Sequence, residues 1–375
     1  MPRFKPADFE QLSLPVVEIY EAIERELLLN MATLLKEDKA LILETDDETK
    51  YHHWRLVQLG KLGRLNRQHI ATLSRYSGKT KEAVSKMLQD AGYGALMENE
   101  AIYSAAIAEG AALPAVPLID KSAALLRVLQ TYQQRAQDMF NLVNTTMLQE
   151  AGQLYRDIIN KNTGMLLSGA ITPQQALRRT AQEWGRHGVP ALRDRAGKKW
   201  TTEAYVNMIS RTLCNQVSND MQFARMDEYG TDLIEVSSHL GARERCAPFQ
   251  GRIFSRSGKS KKYAAWSSTS HGEAAGLLGI NCHHVIYPFI SGKSTKRYEP
   301  YDHSENQRVY EESQQQRAYE RKIRKQKREL ALLETIGDEQ GIKESKAAIR
   351  NTQTQLRAFL DKTGRGRRRD REQIV

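Results

Sequence analysis

Apolar residues recur at three- and four-residue intervals from Leu14 to Tyr229 and again beyond Ser304, but not between Leu233 and Gly292. That alternation restricts the chain to a mainly α fold with a small central α+β, loop-rich module and long amphipathic helices on both sides, because a helical apolar period does not suit a strand. Residues 13–36 place Val16, Ile19, Tyr20, Ile23, Leu27 and Leu34 on one stripe, with Pro15 expected in the first turn. A second stripe runs from about Trp54 to Arg75 among basic residues, with Gly78 expected to end that helix and Thr80 to cap the next. Ala111 to Ile119, with Pro114 and Pro117, reads as a linker, and a long helix from Ser122 to Ile159 follows.

Thr172-Pro173-Gln174-Gln175 has the side chains of a capping box with proline in the first helical position, so a short helix is expected to about Trp184, ending near Gly185 and Gly188. A further helix spans about Thr202 to Tyr229 and carries Cys214. Leu233 to Ser238 is a β-branched run suited to a strand. Beyond Ser304 the pattern predicts a helical hairpin: one arm to about Ile336, a turn at Gly337 to Gly341, and a second arm to about Asp361. The boundaries that follow are 1–110 and 111–230 for two helical regions, 231–300 for the central module, and 301–375 for a basic hairpin with an Arg-rich tail. Gly364 to Arg369 is expected to stay disordered unless a partner neutralises it.

The formal charge of +11 favours an acidic partner, a nucleic acid or an anionic surface. Residues 305–375 contribute 18 Lys and Arg against 12 Asp and Glu, or +6 of that total. Arg317, Arg321, Arg324 and Arg328 fall four, three and four apart, with Lys325 beside them, and Arg365, Arg367, Arg368 and Arg369 follow in the tail. Such a guanidinium ladder can track a phosphate backbone with steep salt dependence, or it can be a solvated face with partial pairing. The first ten residues lack the features of a secretion signal, and no apolar run approaches the ~18 residues needed to cross a bilayer.

Three cysteines are too few for a secreted disulfide scaffold. Within the module, His239, Cys246, Cys282 and His284 are candidate ligands for a structural zinc, which takes four S or N donors and would stabilise a small, loop-rich unit. Two alternatives stand beside zinc: buried packing of the cysteines with histidines bonded to carbonyls, and a Cys246–Cys282 disulfide. His271 and His283 rank below these four. Ser267-Ser268-Thr269-Ser270-His271 offers hydroxyls beside an imidazole, yet no orienting carboxylate accompanies it, and a loop bonding its own backbone is the simpler account. Ser77-Gly78-Lys79-Thr80 ends like a phosphate-binding loop, but Leu73 stands where glycine is needed and a helix precedes it.

Several segments together resemble the phage minor capsid protein 2 family, related to the Mu F-like head-morphogenesis proteins. They are His239 to Arg243, Cys246 to Ser255, Ser267 to Ser270, Gly279 to Cys282 with His284, and Tyr287 to Ile290. Leu59 to Ile70, Phe140 to Met147 and Gln315 to Arg324 extend the likeness over most of the chain. The signature within it comprises Arg243, Pro248, Gln250, Gly251 and Asn281. At His271 the family often has an aromatic residue and at His283 a small one, which leaves the four named above as the tetrad.

The resemblance implies a minor capsid or head-morphogenesis protein of a tailed bacteriophage, present in the host cytoplasm during assembly and then in the virion, inside the head near the portal. Implied partners are the portal protein, the major capsid or scaffolding protein, and packaged DNA or scaffold met through the basic helices. No catalysis is implied. The alternative is a virion-packaged effector enzyme, ADP-ribosyltransferase-like or nuclease-like, in the central module. Relatives of the Mu F-like module can carry toxin domains at the C-terminus, but here the C-terminus is a charged hairpin without paired carboxylates or an NAD-binding pattern.

Overall fold

The structure is a computed structural model that describes residues 8–44 and 47–374; residues 1–7, which hold most of the segment relevant to a secretion signal, lie outside it. In chain order the elements are α1 (Asp8–Glu37), α2 (Lys39–Leu43), α3 (Glu48–Gly60), α4 (Leu62–Ala108), α5 (Ala123–Leu167), α6 (Pro173–His187), β1 (Pro190–Arg193), β2 (Lys199–Thr201) and α7 (Thr202–Glu228). There follow β3 (Leu233–Val236), β4 (Ile253–Ser255), β5 (Ala264–Ala265), β6 (Ile286–Phe289), α8 (His303–Ile336) and α9 (Glu339–Thr363). The fold is mainly α, with a small sheet-containing module between α7 and α8. Among the described residues, no helix is long and apolar enough to cross a membrane.

The chain divides into two compact units, neither continuous in sequence: residues 1–17, 80–139 and 206–313 in the first, and 18–79, 140–205 and 314–375 in the second. In the first unit, Tyr103 and Tyr229 stack with centroids 3.8 Å apart. Arg225, with a side chain 2% exposed, joins Glu100 at 2.5 Å, Glu228 at 2.6 Å and the Pro117 carbonyl at 2.9 Å. A buried guanidinium requires such partners, and by meeting them it fixes the 111–118 linker against α4 and α7. The sheet runs in the order β5-β4-β3-β6, with β3 antiparallel to both β4 and β6, and β4 parallel to β5. Its core gathers Met226, Ile234, Val236, Phe254, Trp266 and Ile286.

In the second unit, Tyr155 stacks on Trp184 at 5.2 Å and donates to Gln58 Oε1 at 2.8 Å. Thr172 and Gln175 form the expected reciprocal capping box of α6. Arg178 clasps Asp338 with two bonds, 2.5 and 2.9 Å, which holds α6 to the turn of the α8–α9 hairpin.

The sequence expectations fail at several places. Helix α1 starts at Asp8, so Pro15 lies inside it rather than in its first turn. The second stripe is broken at Lys61, whose ammonium reaches the Leu34 carbonyl and Glu37 and so closes α3 onto the end of α1. Helix α4 passes uninterrupted through Gly78 and Thr80. One glycine costs a helix only about 1 kcal/mol, less than the burial gained by residues on either side. The β1–β2 hairpin fills the gap expected between the helices ending near Gly188 and starting at Thr202, where no strand was expected. The tail is ordered among the described residues: Arg367 makes two 2.6 Å bonds to the buried Glu372 within a turn at Arg369–Glu372. Within the tail Glu372 pairs with Arg367 and Asp370 with Arg368.

Candidate functional site

Two loops of the module, the β3–β4 connection and the segment before β6, converge on one buried point. Cys246 precedes a short 3-10 turn at Ala247–Phe249 that includes Pro248, while Cys282 and His284 follow Asn281 and lead into β6. Asn281 has φ of +56°, a left-handed conformation that asparagine tolerates better than most residues. Exposures of 1%, 4% and 1% put Cys246, Cys282 and His284 out of water. The two Sγ atoms lie 4.0 Å apart, and Cys282 Sγ is 3.4 Å from His284 Nδ1. All three cysteines are free, so the disulfide expected as one alternative is not formed. His239, the fourth member, lies alongside with its ring 4.6 Å from that of His284, and its Nδ1 faces the Leu240 carbonyl at 3.5 Å.

Gln250 organises this cluster. Its Oε1 accepts the His239 backbone N–H at 3.1 Å and lies 3.3 Å from His284 Nε2. An oxygen there forces Nε2 to be the donor, which leaves Nδ1 of a neutral imidazole with its lone pair toward the sulfurs. Burial pushes His284 well below the usual histidine range, with the charges of His239, His283 and Arg243 adding to it. The Cys246 thiol is drawn down to about 7 by its hydrogen bond with Cys282 and by Arg243, against burial; the same bond and burial push Cys282 up. Gly251 completes the frame with φ of +64°: a Cβ there would lie 2.5 Å from the backbone of Glu299 and Pro300. The five signature residues therefore either touch the cluster or shape the loops that carry it.

Three asparagines absent from the sequence reading hold the module in place. Asn306 of α8 accepts from the Gly241 and Ala242 N–H groups at 2.9 and 2.8 Å and donates to the Ala242 carbonyl. Asn215 of α7 donates to the His284 carbonyl at 2.7 Å, and Asn219 accepts the Ile286 N–H at 2.9 Å, satisfying the outer side of the edge strand β6. The available signal was a polar pair spaced four apart on a mostly apolar helix. In the Ser/Thr loop, Ser268, Thr269 and Ser270 each donate to a backbone carbonyl, and His271 packs against Trp266 at 5.0 Å. These hydroxyls stabilise the loop.

The basic hairpin differs from its helical-wheel reading. Arg324 and Arg328 turn toward Glu203, with side chains only 12% exposed; Arg328 is 3.6 Å from it and Arg324 is closer. Glu21 and Glu24 share that pocket. Burial works to raise Glu203, but the Arg324 hydrogen bond and the two guanidinium charges hold it below the ordinary range. Glu21 is pushed up to about 7, first by burial and then by Glu203. Arg324 and Arg328 therefore neutralise buried carboxylates, which removes them from the surface ladder. Arg321 and Arg369 are exposed, Lys325 is half-buried, Arg365 bonds Gln316, and Arg368 pairs with Asp370. Arg317 is half-buried on the same helix. A different basic stripe is exposed on α9: Lys343, Lys346, Arg350 and Arg357, at helical spacing, with Glu339 and Asp361 at its ends.

Comparison with known proteins adds a further finding. The family described as phage minor capsid protein 2 matches residues 4–361. A structural protein of Lactococcus phage LL-H is 30% identical over 320 residues, covering 82% of this chain and 85% of that protein. A structural protein of Lactococcus phage mv4 is 37% identical over 115 residues, 30% of this chain and 94% of that protein. No solved structure matches.

Proposed function

The chain belongs to the phage minor capsid protein 2 family, and from that premise we propose that this minor capsid structural protein is built into the portal vertex inside the head. The match along residues 4–361 carries the proposal, since it spans the helical regions, the module and the hairpin together. In this proposal the helical regions dock on the portal and on capsid or scaffolding protein. The exposed cations of α9, with Arg321 and Arg369, face packaged DNA. A basic surface suits DNA because binding that releases counterions needs only positive charge spaced along the backbone, without base contacts.

Co-expression with the cognate portal protein, followed by pulldown at low and high salt, tests the portal part. Retention at both salts is expected, because helix docking buries apolar area that salt does not screen. Absence of retention at either salt would refute it. An enzymatic role for the module gains no support from the site. Its sulfurs and the His284 imidazole are enclosed, and the nearby hydroxyls are committed to backbone carbonyls.

A further inference from the structure

We propose that Cys246, Cys282 and His284 bind one zinc ion, with His239 turning in as the fourth ligand, and that this ion ties the loops of the module together. Among the described residues these three form the one group of His, Cys, Asp or Glu whose ligand atoms all lie within 4.8 Å of one another. Tetrahedral zinc, with Zn–S of ~2.3 Å and Zn–N of ~2.0–2.1 Å, sets S···S at about 3.8 Å and S···N at about 3.6 Å. The corresponding separations are 4.0 Å between the sulfurs and 3.4 Å from Cys282 Sγ to His284 Nδ1. Two of the three edges are thus already near metal spacing, and the third, from Cys246 to His284, lies within 4.8 Å.

Both sulfurs have a hydrogen-bond donor beside them that a metal-bound thiolate would use. The His284 backbone N–H donates to Cys282 Sγ at 3.4 Å, and the Arg243 guanidinium lies 3.8 Å from Cys246 Sγ. Donors aimed at sulfur stabilise a negative charge, which an apolar cysteine would not carry. The Gln250 contact to Nε2 is the outer-shell hydrogen bond that metal-bound histidines commonly make, and it orients Nδ1 inward. Two thiolates and two neutral imidazoles around Zn²⁺ give a neutral assembly, the charge state that a water-excluded site tolerates. The ligands come in pairs from two loops of a module whose strands are only two to four residues long, so a cross-link there replaces core that the sequence does not supply.

The test is elemental analysis of the full chain purified without chelator, paired with cobalt substitution. About one zinc per chain is expected, and the cobalt form should show thiolate-to-metal charge transfer with the intense visible bands of tetrahedral coordination. Cys246→Ser and Cys282→Ser should each abolish that charge-transfer pattern. Gln250→Leu keeps every ligand and should weaken zinc binding by about 10–100-fold. Should a cysteine variant fail to fold, chelator challenge of the wild-type chain decides instead: zinc loss should lower its thermal midpoint, and added zinc should restore it. A metal-free wild-type chain that neither binds added zinc nor changes its midpoint would overturn the proposal. A cobalt spectrum unchanged in His239→Ala would overturn the choice of fourth ligand.

Discussion

Two glycine-to-alanine substitutions within helices should change stability in opposite directions. Gly185 lies in α6 where it meets α8: a Cβ there would sit 2.7 Å from both Cα and N of Glu329 and 3.1 Å from the carbonyl carbon of Arg328. Non-bonded carbons settle at about 3.5–4.0 Å, so the added methyl overlaps backbone by roughly 1 Å, and backbone cannot move aside as a side-chain tip can. Overpacking against unyielding backbone takes the upper part of the usual range, about 2–3 kcal/mol, while alanine returns about 1 kcal/mol of helix propensity, so Gly185→Ala should destabilise by about 1–2 kcal/mol. At Gly78 in α4 the same Cβ would meet nothing within 4 Å. Only the propensity gain remains, and Gly78→Ala should stabilise by about 0.5–1 kcal/mol. Urea unfolding followed through tryptophan fluorescence is the assay, since Trp54 and Trp184 are buried in the same unit as both glycines. The midpoint should shift at constant slope. A neutral or stabilising Gly185→Ala would refute the close approach of α6 and α8. A destabilising Gly78→Ala would refute the unbroken α4 and restore the helix end that the sequence suggested.

Other expectations follow from the charges. Glu21, raised to about 7, keeps its proton in the folded chain after the unfolded chain has lost it. Its stabilising contribution is therefore present below about pH 4.5 and lost as pH rises through 7, so Glu21→Gln should match wild type at pH 5 and exceed it at pH 8 by on the order of 1–3 kcal/mol in denaturant midpoints. Arg324→Met leaves Glu203 with Arg328 at 3.6 Å as its remaining close partner and should cost somewhat less than the ~3–5 kcal/mol of a fully stranded charge, with more than half recovered in the Glu203→Gln/Arg324→Met double variant; a double variant as unstable as the single would contradict the pairing. Charge reversal at Lys343, Arg350 and Arg357 should weaken retention on double-stranded DNA and flatten its salt dependence while leaving the unfolding midpoint within about 0.5 kcal/mol. Unchanged DNA retention would remove α9 from the proposed contact.

Elements defined by their own residues were the legible ones. The capping box at Thr172, the hairpin turn at Gly337 and the strand at Leu233 are specified within a few positions, and the structure has all three. The convergence of Cys246, Cys282 and His284 could be suspected from residue type but not located, because it depends on how two loops return to one point. The ladder on α8 was misread for a related reason. Helical spacing places Arg321, Arg324 and Arg328 on one face, but whether that face meets water or Glu203 depends on an element more than a hundred residues earlier. Asn215, Asn219 and Asn306 went unremarked because their partners are backbone groups, which sequence does not distinguish.

The second unit assembles from the start, middle and end of the chain, and this sets an order during synthesis. Glu21, Glu24 and Glu203 leave the ribosome well before Arg324 and Arg328, so a nascent chain carries acids that it cannot yet enclose. A product that terminates before α8 has no means of burying them. Folding of this unit therefore waits for the C-terminal hairpin, which supplies both arginines.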